Sequence, residues 1–232
     1  MTLTAGPMQR LWSGGTSTEG PVWMGDGLIW SDIPSDRPLH WDASSGVVTP
    51  CRHPSNGANG NTRDRQDRLV TCQGKSRRIT RAEPDDIITQ FPDRYQDQRF
   101  NAPNDVVMKF DGTIWFTDPR YGSGTPEMTD CHAYRLDPVT HAITQMTHDM
   151  VMPNSLAFLA DQTLLYIVDT GSTHHPDGPN HIHRFPVGDH CPAARSLPPT
   201  PPTALTAPAS MPQVAFGAGP GMAPMSKPPT AP

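Results

Sequence analysis

Four segments of this chain repeat one phrase, and the interval between them restricts the fold more than any other feature. They are Asp26-Gly-Leu-Ile-Trp-Ser-Asp32, Asp67-Arg-Leu-Val-Thr-Cys72, Asp111-Gly-Thr-Ile-Trp-Phe-Thr-Asp118 and Asp161-Gln-Thr-Leu-Leu-Tyr-Ile-Val-Asp169. Their leading aspartates stand 41, 44 and 50 positions apart. A period of roughly 40–50 residues built from short strands marks the blade of a β-propeller. Such a fold gathers loops from successive blades around one axis, so residues far apart in sequence can share a site.

Each repeat divides into strands and turns. The third is expected to place strands at residues 104–110, 113–117, 131–136 and 142–147, with a two-residue hairpin turn at Asp111 and Gly112 and a second turn over 137–141. Apolar and polar residues roughly alternate through these stretches, as half-buried strands require, and glycine suits the turn because it tolerates positive φ. The first repeat predicts strands at 20–24, 28–30, 38–41 and 47–49, and the second at 68–71, 77–81 and 87–90. The fourth predicts 155–158, 164–168 and 181–185 and then no outer strand.

The composition changes near residue 193. Residues 196–232 carry one charged side chain, Lys227, among Pro, Ala, Thr, Gly and Met. Proline lacks the amide donor that a strand ladder needs, and so polar a segment cannot bury enough apolar surface to offset its ordering entropy. The expected organisation is therefore a partial propeller over residues 1–192 and a disordered Pro/Ala-rich tail over 193–232. The tail reads either as an ordinary flexible extension or as the product of a reading-frame slip near Cys191–Arg195.

The net charge of −5 gives no basic footprint for nucleic acid or anionic membranes. Cys51, Cys72, Cys131 and Cys191 show neither Cys-x-x-Cys pairs nor zinc-like spacing, which favours reduced thiols. No signal-like segment opens the chain and no run of about 18 apolar residues occurs. A cytoplasmic protein is expected.

The residues that open the inner strands stand closest to the axis of a propeller. Glu19, Asn104 and Asn154 hold such positions, the two asparagines each following a proline. One carboxylate and two carboxamides offer hard oxygen donors, suited to Ca²⁺, Mg²⁺ or Mn²⁺. A Pro-Asn dipeptide is equally a turn signal. The histidines His174, His175, His181, His183 and His190 cluster locally, but His181-Ile-His183 alternates as a strand does, which favours a loop and strand surface over a metal site.

Glu19-Gly-Pro-Val-Trp23, Asn59-Gly-Asn-Thr-Arg-Asp-Arg-Gln66, Arg99-Phe-Asn-Ala-Pro-Asn-Asp-Val-Val107, Ile114-Trp-Phe-Thr-Asp-Pro119 and Pro153-Asn-Ser-Leu-Ala-Phe158 occur in that order. Together they resemble the gluconolactonase/regucalcin (senescence marker protein) family. The resemblance spans residues 19 to about 187. It implies a six-bladed β-propeller, about four blades of which are present here, and a metal-dependent hydrolase of sugar lactones. One divalent cation is implied, Ca²⁺ first, with Zn²⁺, Mn²⁺ or Mg²⁺ as alternatives. Glu19, Asn104 and Asn154 match its ligand positions, and Asn104 also matches a substrate contact. Arg99 or Asn101 matches a further substrate-contacting position, the spacing leaving the choice open. The stretch from Asn59 to Gln66 is expected to line the same face or to be a hydrogen-bonded strand opening. Asp118 and Tyr121 read as turn residues.

The family also implies an Asp ligand in a later blade, which doubles as its best candidate for the general base. No Asp or Glu follows Asp189, and Pro176-Asp177-Gly178 lies in an earlier loop. The sequence thus carries the expectation of an incomplete copy with impaired turnover and no confident catalytic residue. The competing readings are a non-catalytic propeller fragment that binds a cation or a partner, and the inert product of a broken gene. An open blade edge is expected to favour self-association.

Overall fold

The computed structural model describes residues 6–122 and 124–188; His190, Cys191 and the tail expected at 193–232 lie outside them. Among the described residues the protein is all-β apart from one 3₁₀ turn, Gly171–Thr173, and its strands form four blades in a propeller arrangement. The first blade contains β1 (Thr18–Met24), β2 (Gly27–Asp32), β3 (Arg37–Asp42) and β4 (Val48–Pro50). The second contains β5 (Ala58–Arg63), β6 (Leu69–Gln73), β7 (Arg78–Ala82) and β8 (Ile88–Gln90), and is followed by a small hairpin of β9 (Arg94–Tyr95) and β10 (Gln98–Arg99). The third contains β11 (Val106–Met108), β12 (Ile114–Asp118), β13 (His132–Leu136) and β14 (Ile143–Gln145). The fourth contains β15 (Pro153–Phe158), β16 (Leu164–Asp169) and β17 (His181–Pro186). Within each blade consecutive strands pair antiparallel.

The expected strands are present; β5 and the β9–β10 hairpin stand outside the strands expected, and the first strand of the third repeat differs in length. β11 is shorter than residues 104–110. At its start, Asn104 and Asp105 bond to Thr117 outside the regular ladder. At its end, Lys109 donates to the Thr113 carbonyl at 2.9 Å, so the loop holds three residues, Phe110 to Gly112. Gly112 sits at φ +87°, the left-handed residue that such three-residue loops need.

The repeated phrase has a physical cause at each end. In the third and fourth repeats the leading Asp caps the turn: Asp111 Oδ1 accepts from Thr113 N at 2.9 Å and Thr113 Oγ1 at 2.6 Å, and Asp161 repeats this with Thr163 at 2.9 and 2.7 Å. The closing Asp is buried and holds the segment that leads into the inner strand. Asp118 accepts from the backbone N–H groups of Asn101 and Ala102, both at 2.8 Å. Asp169 accepts from Val151 at 2.8 Å and Met152 at 2.9 Å. Pro103-Asn104 and Pro153-Asn154 follow immediately, so one device presents both asparagines. In the second blade Gln73 replaces the closing Asp, and Asp36 of the first blade performs the task, accepting from Gly57 N at 2.7 Å and Ser55 Oγ at 2.9 Å.

Alternation along β12 divides the core. Ile114 and Phe116 join Val70, Ile79, Phe100 and Tyr134 between the second and third blades. Trp115 points the opposite way and joins Leu156, Leu165 and Ile167 between the third and fourth. Phe100, Phe116 and Tyr134 form an aromatic cluster with centroids 5.0–5.5 Å apart. Cys51, Cys72 and Cys131 are free thiols, the last two buried.

The inner strands meet with almost no side-chain spacing. A Cβ on Gly60 would lie 2.5 Å from Asp105 Cα and 2.6 Å from the Asn104 carbonyl oxygen. Gly20, at φ +59°, is equally closed in by Asn59 and Asn61. Gly60→Ala is therefore expected to destabilise the fold by about 3 kcal/mol, because backbone rather than a movable side chain must yield. Urea unfolding checks this; an unchanged midpoint would contradict the close approach.

Candidate functional site

The same step repeats from blade to blade at the inner-strand starts. Ser31 Oγ donates to the Asn59 carbonyl at 2.6 Å, Gly60 N to the Asn104 carbonyl at 2.7 Å, and Thr117 Oγ1 to the Asn154 carbonyl at 2.6 Å. Each bond runs from one blade to the next and fixes the backbone of an asparagine. Glu19 holds the corresponding position in β1, opposite Ser31. The chain thus sets Glu19, Asn59, Asn104 and Asn154 at equivalent places on four adjoining strands.

A cleft of about 760 Å³ opens beside these strands. Asn59, Asn101 and Asn104 line it, together with Lys75, Arg77, Arg120 and Tyr121 and the small residues Gly57, Gly74 and Gly122. Asn154 is linked to this wall through Tyr121: Asn154 Nδ2 donates to the Tyr121 hydroxyl at 3.1 Å, and that hydroxyl shares a 2.5 Å hydrogen bond with Thr170 Oγ1. The His174 ring packs on Tyr121 with centroids 5.1 Å apart. With its nitrogen engaged by Tyr121, Asn154 keeps Oδ1 as an acceptor, which takes one bond from Ser155 Oγ at 3.2 Å. Sequence reasoning treated Tyr121 as a turn residue; no local pattern announces a contact made across 33 residues.

Of the two alternatives Arg99 and Asn101, Asn101 lines the cleft. Arg99 turns to Asp93, at 3.1 Å from its Nε, and to the Ser76 carbonyl. Asn101 is buried, and its Nδ2 donates to the carbonyls of Asp118 and Asp130 at 3.4 and 3.0 Å. Its Oδ1 has no partner among the described residues. The stretch 59–66 divides: Asn59 lines the cleft, whereas Asn61 is a structural hydrogen-bonding centre, donating to Ser31 Oγ at 2.8 Å and accepting from Thr71 Oγ1 at 2.8 Å.

Two carboxylates face each other's field near the axis. Surrounding protein raises the Glu19 carboxyl above its ordinary range although the residue remains exposed at the strand end. Asp105 is pushed up to about 6, first by burial and further by the charge of Glu19, against hydrogen bonds from Val106, Leu156 and Ser155. Neither carboxylate has a basic partner within salt-bridge distance among the described residues. A desolvated, uncompensated negative site beside two asparagines suits a hard cation. Among the described residues no group of three or more His, Cys, Asp or Glu side chains is arranged to hold a metal, so any cation here depends on the carboxamides. His181 and His183 lie on one face of β17 with rings 6.0 Å apart. No helix among the described residues is long and apolar enough to cross a membrane.

Tyr121→Phe is expected to lower stability by about 1 kcal/mol, since the Asn154 and Thr170 contacts both lose their shared hydroxyl. Urea unfolding of the variant measures it, and an unaltered midpoint would show the network to be idle.

Four blades with adjoining inner strands and a polar cleft beside them define a β-propeller arrangement. Residues 17–175 match the SMP-30/gluconolactonase/LRE-like region, and the chain belongs to that family. A gluconolactonase of Zymomonas mobilis is 30% identical over 173 residues, 65% of this chain and 48% of that protein. The solved structure of a gluconolactonase from Xanthomonas campestris superposes with a TM-score of 0.72 at 34% identity, covering 79% of this chain and 62% of that one. A regucalcin from Agrobacterium tumefaciens, described as a calcium-binding protein, shares the fold with a TM-score of 0.60 at 19% identity, over 76% of this chain and 56% of that one. The chain spans about half the length of the curated relative it matches.

Proposed function

We propose that the protein hydrolyses sugar lactones with one divalent cation, Ca²⁺ in the first instance, held by Glu19, Asn104 and Asn154. The observation that carries this reading is the equivalence of the three residues at the inner-strand starts of the first, third and fourth blades, within a chain whose gluconolactonase relatives are named for lactone hydrolysis.

A cation there supplies a Lewis acid that polarises the lactone carbonyl and stabilises negative charge on its oxygen. The chain's own residues perform the rest. Asn104 and Asn101 face the polyhydroxylated ring from the cleft wall, and Tyr121 engages the nitrogen of the Asn154 carboxamide, leaving its oxygen, which accepts from Ser155 Oγ, with a second lone pair for the cation. The glycines at 74 and 122 keep side chains off that part of the cleft wall. Water adds across the acyl C–O bond, the ring oxygen leaves as a hydroxyl, and a hydroxy acid results.

The test is hydrolysis of gluconolactone by purified protein, treated with chelator and then resupplied with Ca²⁺, Mn²⁺, Zn²⁺ or Mg²⁺ separately. Cation-dependent turnover above the spontaneous rate is expected. A rate equal to the buffer blank with every cation, or one indifferent to chelator, would overturn the proposal.

A further inference from the structure

The charge of the cleft runs against that of the molecule. The whole chain carries a net charge of −5, yet among the described residues those that line the cleft include Lys75, Arg77 and Arg120 and no Asp or Glu. The three cations are not equivalent. Arg77 is half committed to structure: its guanidinium bonds the carbonyls of Phe100 and Arg99 and lies 3.5 Å from Glu127. Lys75 pairs with Asp36 at 3.2 Å, but its side chain is 62% exposed, and such exposed pairs are weak enough for the ammonium to exchange partners. Arg120 is exposed on the cleft wall and makes no salt bridge among the described residues.

The second observation is of opposite polarity. Asn101 is 8% exposed and lines the same cleft, and its Oδ1 accepts no hydrogen bond among the described residues. A buried acceptor without a donor is costly, and this one is closed off from solvent. A cleft lined by the carboxamide residues Asn59, Asn101 and Asn104 and by the Arg120 guanidinium fits a ligand bearing both hydroxyls and a fixed negative charge.

We infer that the preferred substrates are acidic sugar lactones, which carry a carboxylate or phosphate remote from the lactone carbonyl, and that Arg120, assisted by Lys75, binds that anion. The inference rests on the lactonase reading and narrows it. The reaction is unchanged: water adds across the acyl C–O bond, and the remote anion takes no part in bond making. Its contribution is orientation and capture, through a charge-assisted and preferably bidentate contact.

The test compares glucarolactone, which bears a carboxylate, with neutral gluconolactone. For the wild type kcat/KM is expected to be roughly tenfold higher for the acidic lactone, and this preference is expected to shrink as salt rises from low to high ionic strength. In Arg120→Gln the ratio is expected to fall toward unity, and in Lys75→Gln to fall by less. Binding of glucarate, measured calorimetrically against neutral glucitol, supplies a readout free of turnover and should show the same salt sensitivity.

Hydrolysis of gluconolactone with a wild-type ratio near unity overturns this inference and leaves the lactonase reading intact. Salt-sensitive glucarate binding without hydrolysis of any lactone overturns the lactonase reading and the substrate preference with it, and leaves only the anion contact of Arg120. Glucarate bound no better than glucitol, or a ratio unmoved in a folded Arg120→Gln protein, also overturns it; should that variant unfold, the wild-type salt dependence decides.

Discussion

Glu19→Gln is expected to lower kcat/KM for gluconolactone by roughly 100-fold and to weaken the divalent cation by a comparable factor. The substitution keeps the shape of the side chain and removes its charge. Glu19 is the only carboxylate in the proposed ligand set, and a hard cation held by three neutral amides and water lacks the anionic donor that sets its affinity. Fold stability should hold or rise slightly, because burial already disfavours the ionised form of Glu19 and the neighbouring Asp105 repels it. Kinetics against gluconolactone and calorimetric titration with Ca²⁺ measure the two effects. Equal rates and equal Ca²⁺ affinity in the two proteins would remove Glu19 from the site.

Asp118→Ala is expected to destabilise the protein by about 3 kcal/mol, since two buried N–H groups, those of Asn101 and Ala102, lose their acceptor. Asp118→Asn retains one acceptor oxygen and should lose about 1 kcal/mol. The two variants also predict a pH dependence. Burial pushes the Asp118 carboxyl up to about 7, against the pull of the Asn101 and Ala102 amides and Arg77. A folded-state value above the unfolded one means that the native state holds the proton more tightly. The contribution is therefore fully present below about pH 4, the unfolded carboxylate range, and is lost as pH climbs through about 7. The stability of the wild type minus that of Asp118→Asn should fall across this window in urea melts. A flat or rising difference would show that Asp118 is not the titrating group.

The regularity of the repeat made much of the fold legible. Alternation in Thr113-Ile-Trp-Phe-Thr117 fixes a strand with two buried faces, because a single periodicity of two serves both adjoining cores. The leading aspartates were equally readable, since an Asx turn is closed by residues two positions apart. The ends of β11 were not. Its start is decided by Thr117, whose backbone bonds Asn104 and Asp105, and its loop by the left-handed conformation of Gly112.

The site divides along the same line. The proposed ligands Glu19, Asn104 and Asn154 could be named from the sequence because they recur at one place in the repeat and because the motifs around them resemble a known family. Tyr121, Arg120 and the free oxygen of Asn101 carry no such mark. Their importance comes from the cleft they share, formed by loops of separate blades. That Asn101 and not Arg99 lines the cleft follows from the salt bridge to Asp93 that holds the Arg99 side chain.

Local chemistry, repeated at intervals, determined by itself that this chain would form blades and which polar residues would open them. The approach of those openings depended on Gly20 and Gly60, on carbonyls pinned from the preceding blade, and on buried carboxylates at the ends of the second strands. These are contacts between segments tens of residues apart. The physical reason that only the tertiary structure could decide them is that a strand's neighbours across a blade junction are set by packing, and no periodicity within the strand encodes them.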